Sequence, residues 1–272
     1  MVGCSEYTIL KWERFAYLFD VEIGIIGGIL SRMPGWADER FWYYDFYAGP
    51  GIYSEREAHY LAGRHGSPMI AVAMLRESRL NYRANLYDEK DETARRLQRA
   101  IDSHFPGSTV SIDTRSFRDA VDGLRPLPGE KKALGLAFID PNGPPDWKAL
   151  EDFCKSRRGD RTDVLINVNS SNMKLQYVSP KHAEHMRPTE HLKALGKRYI
   201  YLWEPAPSDM HQFALAFCTN CPESTFPDFP KKGFHKMSSE MGGVIARRID
   251  MTHKERKAAA VKGQGVLFGG DQ

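Results

Sequence analysis

The stretch Asp-Phe-Tyr-Ala-Gly-Pro-Gly at residues 45–51 constrains the fold more than any other feature of the sequence. It follows an aromatic run, Phe41 to Tyr44, that is typical of a strand, and it leads towards a predicted helix. Glycines at such a turn let backbone N–H groups approach a bound molecule, while an acidic side chain can accept hydrogen bonds from it. The stretch therefore indicates a nucleotide-like ligand at a strand end, although Gly-Pro-Gly also marks ordinary turns.

Six further strand-like runs follow along the chain. Helical segments separate the first five strands, which predicts a parallel α/β sheet. One of these helices should begin with Ser67 as its N-cap and Pro68 in its first position. The last two strands have no obvious helix between them, so we expect a hairpin-like pair at one edge, with one strand antiparallel. The predicted strands are 41–48, 82–88, 109–113, 133–140, 163–168, 198–203 and 213–218.

Acidic residues stand at the ends of four predicted strands: Asp45, Asp88 with Glu89, Asp113 and Asp140. Each of them alone is as well explained by a turn or a helix cap. Because the carboxyl ends of parallel strands meet at one edge of a sheet, where open α/β sheets bind ligands, their repetition favours a binding site.

The two ends of the chain differ from this central pattern. Residues 5–33 have apolar positions at helical spacing, but the pattern weakens at Gly24, Gly27 and Gly28 and ends by Pro34. We interpret residues 1–36 as a helical addition, a packing helix or a lid, before a domain at residues 37–250. Residues 251–272 are rich in lysine, arginine and glycine and predict a mobile basic tail.

The composition is that of a soluble globular protein, with 42% hydrophobic and 27% charged residues. A net charge of +3 permits a nucleic-acid partner without requiring one. Four cysteines without a dense framework fit a reducing compartment. Charged residues before the first apolar run argue against a signal peptide, and that run is too short to span a membrane. We therefore expect a cytoplasmic protein without a membrane partner.

The order and spacing of these motifs resemble class I S-adenosylmethionine-dependent methyltransferases. Within that superfamily the sequence is most similar to the three-Cys-motif partner (TcmP) proteins and to related bacterial ribosomal RNA adenine methyltransferases. The resemblance covers about residues 40–170 and implies a Rossmann-like sheet of seven strands and S-adenosylmethionine as cofactor. The matching segments are D-F-Y-A-G-P-G-I-Y at 45–53, H-G-S-P-M-I-A at 65–71, Y-D-E-K-D-E-T-A-R-R-L at 87–97, L-A-F-I-D-P-N-G at 136–143 and D-V-L-I-N at 163–167.

The resemblance also implies roles for particular residues. The ribose-binding acid would be Glu89 or its neighbour Asp88, and the cofactor's adenine would lie beside Ser116 and Phe117. The first cofactor motif would comprise Asp45, Tyr47, Ala48, Gly49, Pro50 and Gly51. The catalytic tetrapeptide would begin with Asp140, Pro141 and Asn142, with Asp140 also lining the cofactor site.

In the amino-methyltransferases that this sequence resembles, an Asp or Asn side chain and a backbone carbonyl accept hydrogen bonds from an exocyclic amine. An aromatic residue in the fourth place stacks on the flipped base. Here the fourth residue is Gly143, which cannot stack. The ring could come instead from Tyr53, Phe138 or Trp147, although each of these is more often a core residue.

The leading prediction is methyl transfer to nitrogen on a base of DNA or RNA, adenine being the first candidate. Lys174, Lys181 and Arg187 would contact phosphates, so binding would weaken as salt increases. The missing aromatic residue leaves two alternatives open. The fold could serve as a cofactor-binding regulatory or interaction module, for which a small partner protein could complete the site. It could also use S-adenosylmethionine for other chemistry.

Metal sites are not predicted. Cys218 and Cys221 have the spacing of a zinc knuckle but lack a second such pair. A polar loop contains His182, His185 and His191, and we do not interpret it as a metal site. The nearby Asn167, Asn169 and Asn172 are interpreted as turn and cap residues.

Overall fold

The computed structural model describes residues 6–53, 65–124, 131–169, 186–205, 213–251 and 255. Its strands are β1 (Phe41–Asp45), β2 (Tyr82–Tyr87), β3 (Val110–Asp113), β4 (Leu134–Ile139), β5 (Thr162–Asn169), β6 (Tyr199–Trp203), β7 (Phe213–Thr219) and β8 (His235–Lys236). Its helices are α1 (Glu6–Arg32), α2 (Ser67–Glu77), α3 (Asp91–His104), α4 (Phe117–Gly123), α5 (Trp147–Lys155), α6 (Pro188–Ala194) and α7 (Glu240–Asp250).

The described strands form one sheet in the order β3-β2-β1-β4-β5-β7-β6-β8. Strands β1 to β5 run parallel to one another, whereas β7 runs antiparallel to both of its neighbours, β5 and β6. This arrangement confirms the prediction of a Rossmann-like α/β fold with a mostly parallel sheet. The count of seven strands was one too low, because the two-residue β8 pairs with the outer side of β6.

Helices cover both faces of the sheet. Apolar side chains of α1, α2 and α3 pack on one face, and those of α4 to α7 pack on the other. Strand β4 is therefore buried along its whole length, which explains its uninterrupted apolar sequence. Gly135 in this strand lies so close to β1 that a Cβ atom would meet the Trp42 carbonyl oxygen at 1.7 Å.

Helix α1 is longer and more deeply packed than its sequence suggests. It continues through Gly24, Gly27 and Gly28 to Arg32, where the sequence predicted that the helical pattern would weaken. The aromatic rings of Phe15 and Phe19 are fully buried against the sheet, and this packing outweighs the cost of about 1 kcal/mol for each helical glycine. No helix among the described residues is long and apolar enough to cross a membrane.

Candidate functional site

Four neighbouring strands bring polar residues together at the carboxyl edge of the sheet. Asp45 ends β1, Asp88 follows β2 and Asp140 follows β4. Asn167 lies in β5 one residue beyond Ile166, which pairs with Ile139 of β4. The acidic strand ends predicted from the sequence therefore do share one edge. Asn167 is a buried strand residue, so its interpretation as a turn or cap residue was wrong.

Asp45 organises the turn from within the protein. It is fully buried and accepts hydrogen bonds from the hydroxyl groups of Tyr43 at 2.9 Å and Ser67 at 2.7 Å, and from the Tyr47 N–H at 3.2 Å. Burial raises the pKa of Asp45 to about 6 despite these donors, and the nearby Asp140 carboxylate adds to the rise. The hydrogen bond from Ser67 thus ties β1 to the start of α2, and the one from the Tyr47 N–H positions the turn. Because the oxygen atoms of Asp45 face these protein donors, Asp45 acts from within the protein.

Ser67 does not cap α2 as predicted. Gly66 occupies the N-cap position, and the Ser67 hydroxyl instead donates to the buried carboxylate of Asp45. A hydroxyl beside a buried carboxylate gains more from a charge-assisted hydrogen bond than from a backbone cap. This role depends on the approach of α2 to β1, which is not visible in the local sequence.

The turn after β1 uses its two glycines differently. Both have a left-handed backbone, with φ of +63° at Gly49 and +75° at Gly51. A Cβ atom on Gly49 would meet only the Tyr53 hydroxyl, at 3.8 Å, whereas one on Gly51 would lie 2.6 Å from Leu97 Cδ1. Gly51 is therefore required for packing against the protein, and Gly49 borders open space. Around them, the Ala48 N–H donates to the Tyr87 carbonyl, and the Pro50 carbonyl accepts from the Ile52 N–H, each at 2.9 Å.

The two acidic residues after β2 have distinct positions. The Asp88 carboxylate accepts hydrogen bonds from the N–H groups of Gly49 at 3.2 Å and Lys90 at 2.9 Å. It therefore holds the glycine turn against the end of β2. Glu89 is exposed on the same edge. Burial raises the pKa of the Tyr47 phenol to about 12, and the negative charges of Asp146 and Glu89 add to the rise.

Asp140 has two partners from distant parts of the chain. Lys11 of α1 places its Nζ 2.6 Å from Oδ2, and the Asn167 side-chain amide donates to Oδ1 at 2.6 Å. Both ends of the Lys11–Asp140 ion pair are largely buried, with side-chain exposures of 14% and 16%. Neither of these partners of Asp140 was predicted from the sequence. Asn167 could have been identified as a candidate site residue, because it is a polar residue near the end of an apolar strand. Lys11 could not, because its sequence context does not differ from that of a solvated helix residue.

The loop after Asp140 has open space next to Gly143, the position at which the amino-methyltransferases have an aromatic residue. Pro141 is buried and Asn142 is exposed. Gly143 has no atom within 4 Å of the position that a Cβ would take, and its φ lies outside the left-handed region. A Cβ atom at Gly143 would therefore lie in open space without backbone strain.

The three rings considered as substitutes lie in different surroundings. Phe138 is fully buried in the core and cannot stack on a base. Trp147 lies parallel to His191, with ring centroids 4.8 Å apart, so one of its faces is covered. Tyr53 lies beside the glycine turn, with ring atoms 3.3 Å from the Cβ position of Gly66.

Ser116 and Phe117 lie at the start of α4. Ser116 is the N-cap, accepting a hydrogen bond from the Asp119 N–H, and its hydroxyl donates to the Asp119 carboxylate at 2.6 Å. Phe117 is buried, with its ring 4.7 Å from that of Phe46 and 5.7 Å from that of Tyr47. These two residues therefore shape the edge of the site beyond β3.

Several predicted contacts cannot be located or have other partners. Lys174 and Lys181, proposed to contact phosphates, lie outside the described residues, as does the tail except Met251 and Glu255. Arg187 is described, and its guanidinium donates to the Asp250 carbonyl at 2.9 Å. Among the described residues, no group of three or more His, Cys, Asp and Glu side chains is arranged to bind a metal.

Neither a family model nor a curated protein matches this sequence. Structurally similar proteins include LPL1258 from Legionella pneumophila, with 16% identity and a TM-score of 0.48 over 80% of this chain and 88% of that chain. A methyltransferase from Geobacter sulfurreducens has 9% identity and a TM-score of 0.43 over 76% and 77%. An rRNA methylase from Streptococcus thermophilus has 10% identity and a TM-score of 0.39 over 68% and 89%. At such low identities and TM-scores, none of these proteins identifies a substrate or a cofactor for this chain.

Proposed function

We propose that this chain is an S-adenosylmethionine-dependent methyltransferase that acts on an exocyclic amine of a nucleic-acid base, adenine being the first candidate. The observation that carries the proposal is the convergence of Asp140, Asn167 and the glycine turn at the carboxyl ends of neighbouring strands. Ligands of open α/β sheets bind at this edge, so a cofactor and an acceptor group could meet there.

The residues on this edge fit S-adenosylmethionine. Gly49 leaves open space beside a left-handed turn, where backbone could approach the ligand. Because Asp88 already binds backbone N–H groups, we assign the ribose hydroxyls to the exposed Glu89. Ser116 and Phe117 would border the adenine. When bound, S-adenosylmethionine supplies an electrophilic methyl group on its sulfonium.

Asp140 would orient the acceptor amine. A carboxylate offers about four lone-pair sites, and Lys11 and Asn167 take one on each oxygen, so sites remain for the amine's N–H groups. The contacts from Lys11 and Asn167, one on each oxygen, hold the plane of the Asp140 carboxylate. The Pro141 carbonyl would accept the amine's second hydrogen. This arrangement directs the nitrogen lone pair towards the methyl group, which is catalysis by positioning.

The first experiment is calorimetric titration with S-adenosylmethionine and S-adenosylhomocysteine on wild type and Gly49→Trp. We expect saturable binding by wild type that the substitution abolishes, because the indole would fill the open space beside the turn. The absence of binding to wild type would refute the cofactor assignment.

The second experiment measures transfer of a labelled methyl group to RNA and DNA. We expect Asp140→Ala, measured at saturating cofactor, to lose activity by about 100-fold, since misplacement of a reacting group costs that much. Asp140→Asn, whose amide oxygen can still accept a hydrogen bond, should retain more activity. Asp152→Asn, on an exposed face of α5, is the matched control and should leave transfer unchanged. Equal activity in wild type and Asp140→Ala would refute the role of Asp140.

Gly143→Tyr tests whether the acceptor is a base. A Cβ atom at this position would have no atom within 4 Å beyond the neighbouring residues, and stacking on a base contributes about 1–3 kcal/mol. Transfer to adenine-containing RNA at low substrate concentration should therefore increase by roughly tenfold. A fall in activity with unchanged cofactor binding would argue for an acceptor other than a flipped base.

The contacts of Asp140 also favour a second candidate function. Its two partners, together with Gly143 in the aromatic position, suit a cofactor-binding module that transfers no methyl group. Cofactor binding without label transfer to RNA, DNA or protein would support this alternative.

A further inference from the structure

A second surface, at the opposite edge of the sheet, combines tryptophan with basic side chains. We name it the basal patch and define it by Trp36, Arg40, Trp42, Arg83, Lys132 and Arg161. These residues precede or begin strands β1, β2, β4 and β5, so they lie at the amino ends of the parallel strands. A strand of five residues spans roughly 16 Å, which separates the basal patch from the reaction site.

Trp36 is the exposed centre of the basal patch. It follows the turn at Gly35, whose φ is +79°, and 40% of its surface is exposed. Met33, just before that turn, is 45% exposed. The backbone here is fixed, because the Asp38 N–H donates to the Lys132 carbonyl at 3.0 Å. An exposed indole on an anchored loop offers a ligand a large contact surface that combines an apolar ring with an N–H group.

Cations surround both tryptophans. The Lys132 ammonium is 4.7 Å from the Trp36 ring centroid and the Arg161 guanidinium is 6.0 Å from it. The guanidinium groups of Arg40 and Arg83 lie 5.2 Å and 5.8 Å from the ring of the buried Trp42. The buried Trp42 therefore only holds these two arginines in place, whereas the exposed Trp36 also offers a stacking surface.

Nearby carboxylates neutralise only part of this charge. Asp38 binds Arg40 through two hydrogen bonds of 2.8 Å, and Asp160 pairs with Arg161 at 3.2 Å. In the part of the chain that the structure describes, Arg83 and Lys132 have no carboxylate partner. These two cations are thus available to an anionic ligand.

A groove of about 420 Å³ adjoins the basal patch at Arg40. Asn81, Tyr82 and Thr109 line it, together with the acidic Asp38 and Glu39. Its volume lies within the range of small-ligand sites, roughly 300–1,000 Å³. Amide, hydroxyl and aromatic groups of this kind can contact the edge or face of a base, while the acidic rim would direct phosphates outward to the cations.

We propose that the basal patch binds single-stranded nucleic acid away from the reaction site, with phosphates on Arg83 and Lys132 and an unpaired base stacked on Trp36. The inference rests on the proposed function, because it gives the substrate of that function a second contact. Stacking on an aromatic ring beside cations that bind the backbone is how single strands are held without sequence preference. An acidic protein segment would need the cations but gains little from the exposed indole.

The test measures the binding of labelled oligouridylate at several salt concentrations. This probe contains no adenine, so the proposed target base does not contribute. For the double variant Arg83→Ala/Lys132→Ala, the slope of log K against log salt should become shallower by about 1.4, since each contact to a single strand contributes about 0.7. Trp36→Ala should weaken binding by roughly tenfold. The control Arg99→Ala/Lys193→Ala removes two exposed cations elsewhere and should leave the slope unchanged.

Two further readouts separate the possible failures. S-adenosylmethionine titration of each variant verifies that it is folded. If wild type transfers label to RNA while the basal variants bind oligouridylate as wild type does, the basal patch is refuted and the proposed function stands. If wild type transfers no label, the proposed function is refuted. Polyglutamate binding as tight as that of oligouridylate, and equally dependent on Trp36, would assign the patch to an acidic protein and overturn this inference.

Discussion

The glycine turn offers a sharp test of the site, because its two glycines should fail in different ways. Gly49→Ala and Gly51→Ala introduce the same methyl group at two residues with the same left-handed backbone, φ of +63° and +75°. Only the surroundings differ. The methyl group would face open space beside Tyr53 at Gly49 and the side chains of Leu97 and Met69 at Gly51.

The magnitudes follow from these surroundings. A left-handed backbone costs an alanine about 1–2 kcal/mol at either position. At Gly51 the new Cβ would lie 2.6 Å from Leu97 Cδ1 and 3.3 Å from Met69, and both side chains are almost completely buried, which limits their freedom to move. Overpacking of this kind costs a further 1–3 kcal/mol or so. We expect Gly51→Ala to lose about 2–5 kcal/mol of unfolding free energy and Gly49→Ala about 1–2 kcal/mol.

Urea unfolding and S-adenosylmethionine calorimetry on both variants are the assays. Gly49→Ala should remain stable but bind the cofactor weakly, because its methyl group occupies the space assigned to the ligand. Gly51→Ala should unfold at lower urea, yet its folded fraction should bind better than Gly49→Ala. Equal stability losses would refute the packing argument, and normal binding by Gly49→Ala would refute the position of the cofactor.

Two further predictions concern buried polar residues near the start of β5, namely Glu22, Asp163 and Lys197. The carboxyl groups of Glu22 and Asp163 are both fully buried and interact with each other, and burial raises the pKa of both, that of Asp163 to about 6. Because these folded-state pKa values exceed the unfolded ones, the pair's contribution to stability is present at low pH and declines as pH rises, the part due to Asp163 through about 6. Glu22→Gln should therefore flatten this decline in urea titrations at several pH values, and an unchanged profile would contradict the assignment. The buried Lys197 donates to three backbone carbonyls at 2.6–3.0 Å. Lys197→Met should therefore lose about 3–5 kcal/mol of unfolding free energy, whereas Arg198→Met, at an exposed neighbour, should change it by no more than about 0.5 kcal/mol. Similar shifts in the melting temperatures of the two variants would be inconsistent with this role of Lys197.

The strands and the parallel direction of the first five were predictable because their signals are local. Residues 134–139 form an uninterrupted apolar run, since helices cover both faces of β4, and every predicted strand lies within three residues of the observed boundaries. The glycine turn could also be recognised, because a left-handed turn between a strand and a helix favours glycine. From parallel strands alone it follows that Asp45, Asp88 and Asp140 meet at one edge.

The contacts that define the site were not predictable in this way. Lys11 and Asp140 are separated by 129 positions, and no periodicity distinguishes a lysine that enters the site from one that faces water. The prediction that the helical pattern of α1 weakens at its glycines was wrong for a related reason. Their cost appears in the sequence, whereas the packing of Ile26 and its neighbours that offsets this cost appears only in the folded protein.

Helix α1 links the two edges of the sheet. Lys11 contacts Asp140 at the carboxyl edge, and the buried carboxyl group of Glu22 interacts with that of Asp163 near the start of β5. Eleven helical residues rise roughly 16 Å, which matches the length of a five-residue strand, so both contacts can form at once. Between them Phe15 and Phe19 are fully buried against Tyr43 and its neighbours. Withdrawal of α1 would therefore expose a buried aromatic cluster and leave Asp140 without its cation. Helix α1 is thus part of the core and of the candidate site, and the orientation of Asp140 depends on the same packing that keeps water from this face of the sheet.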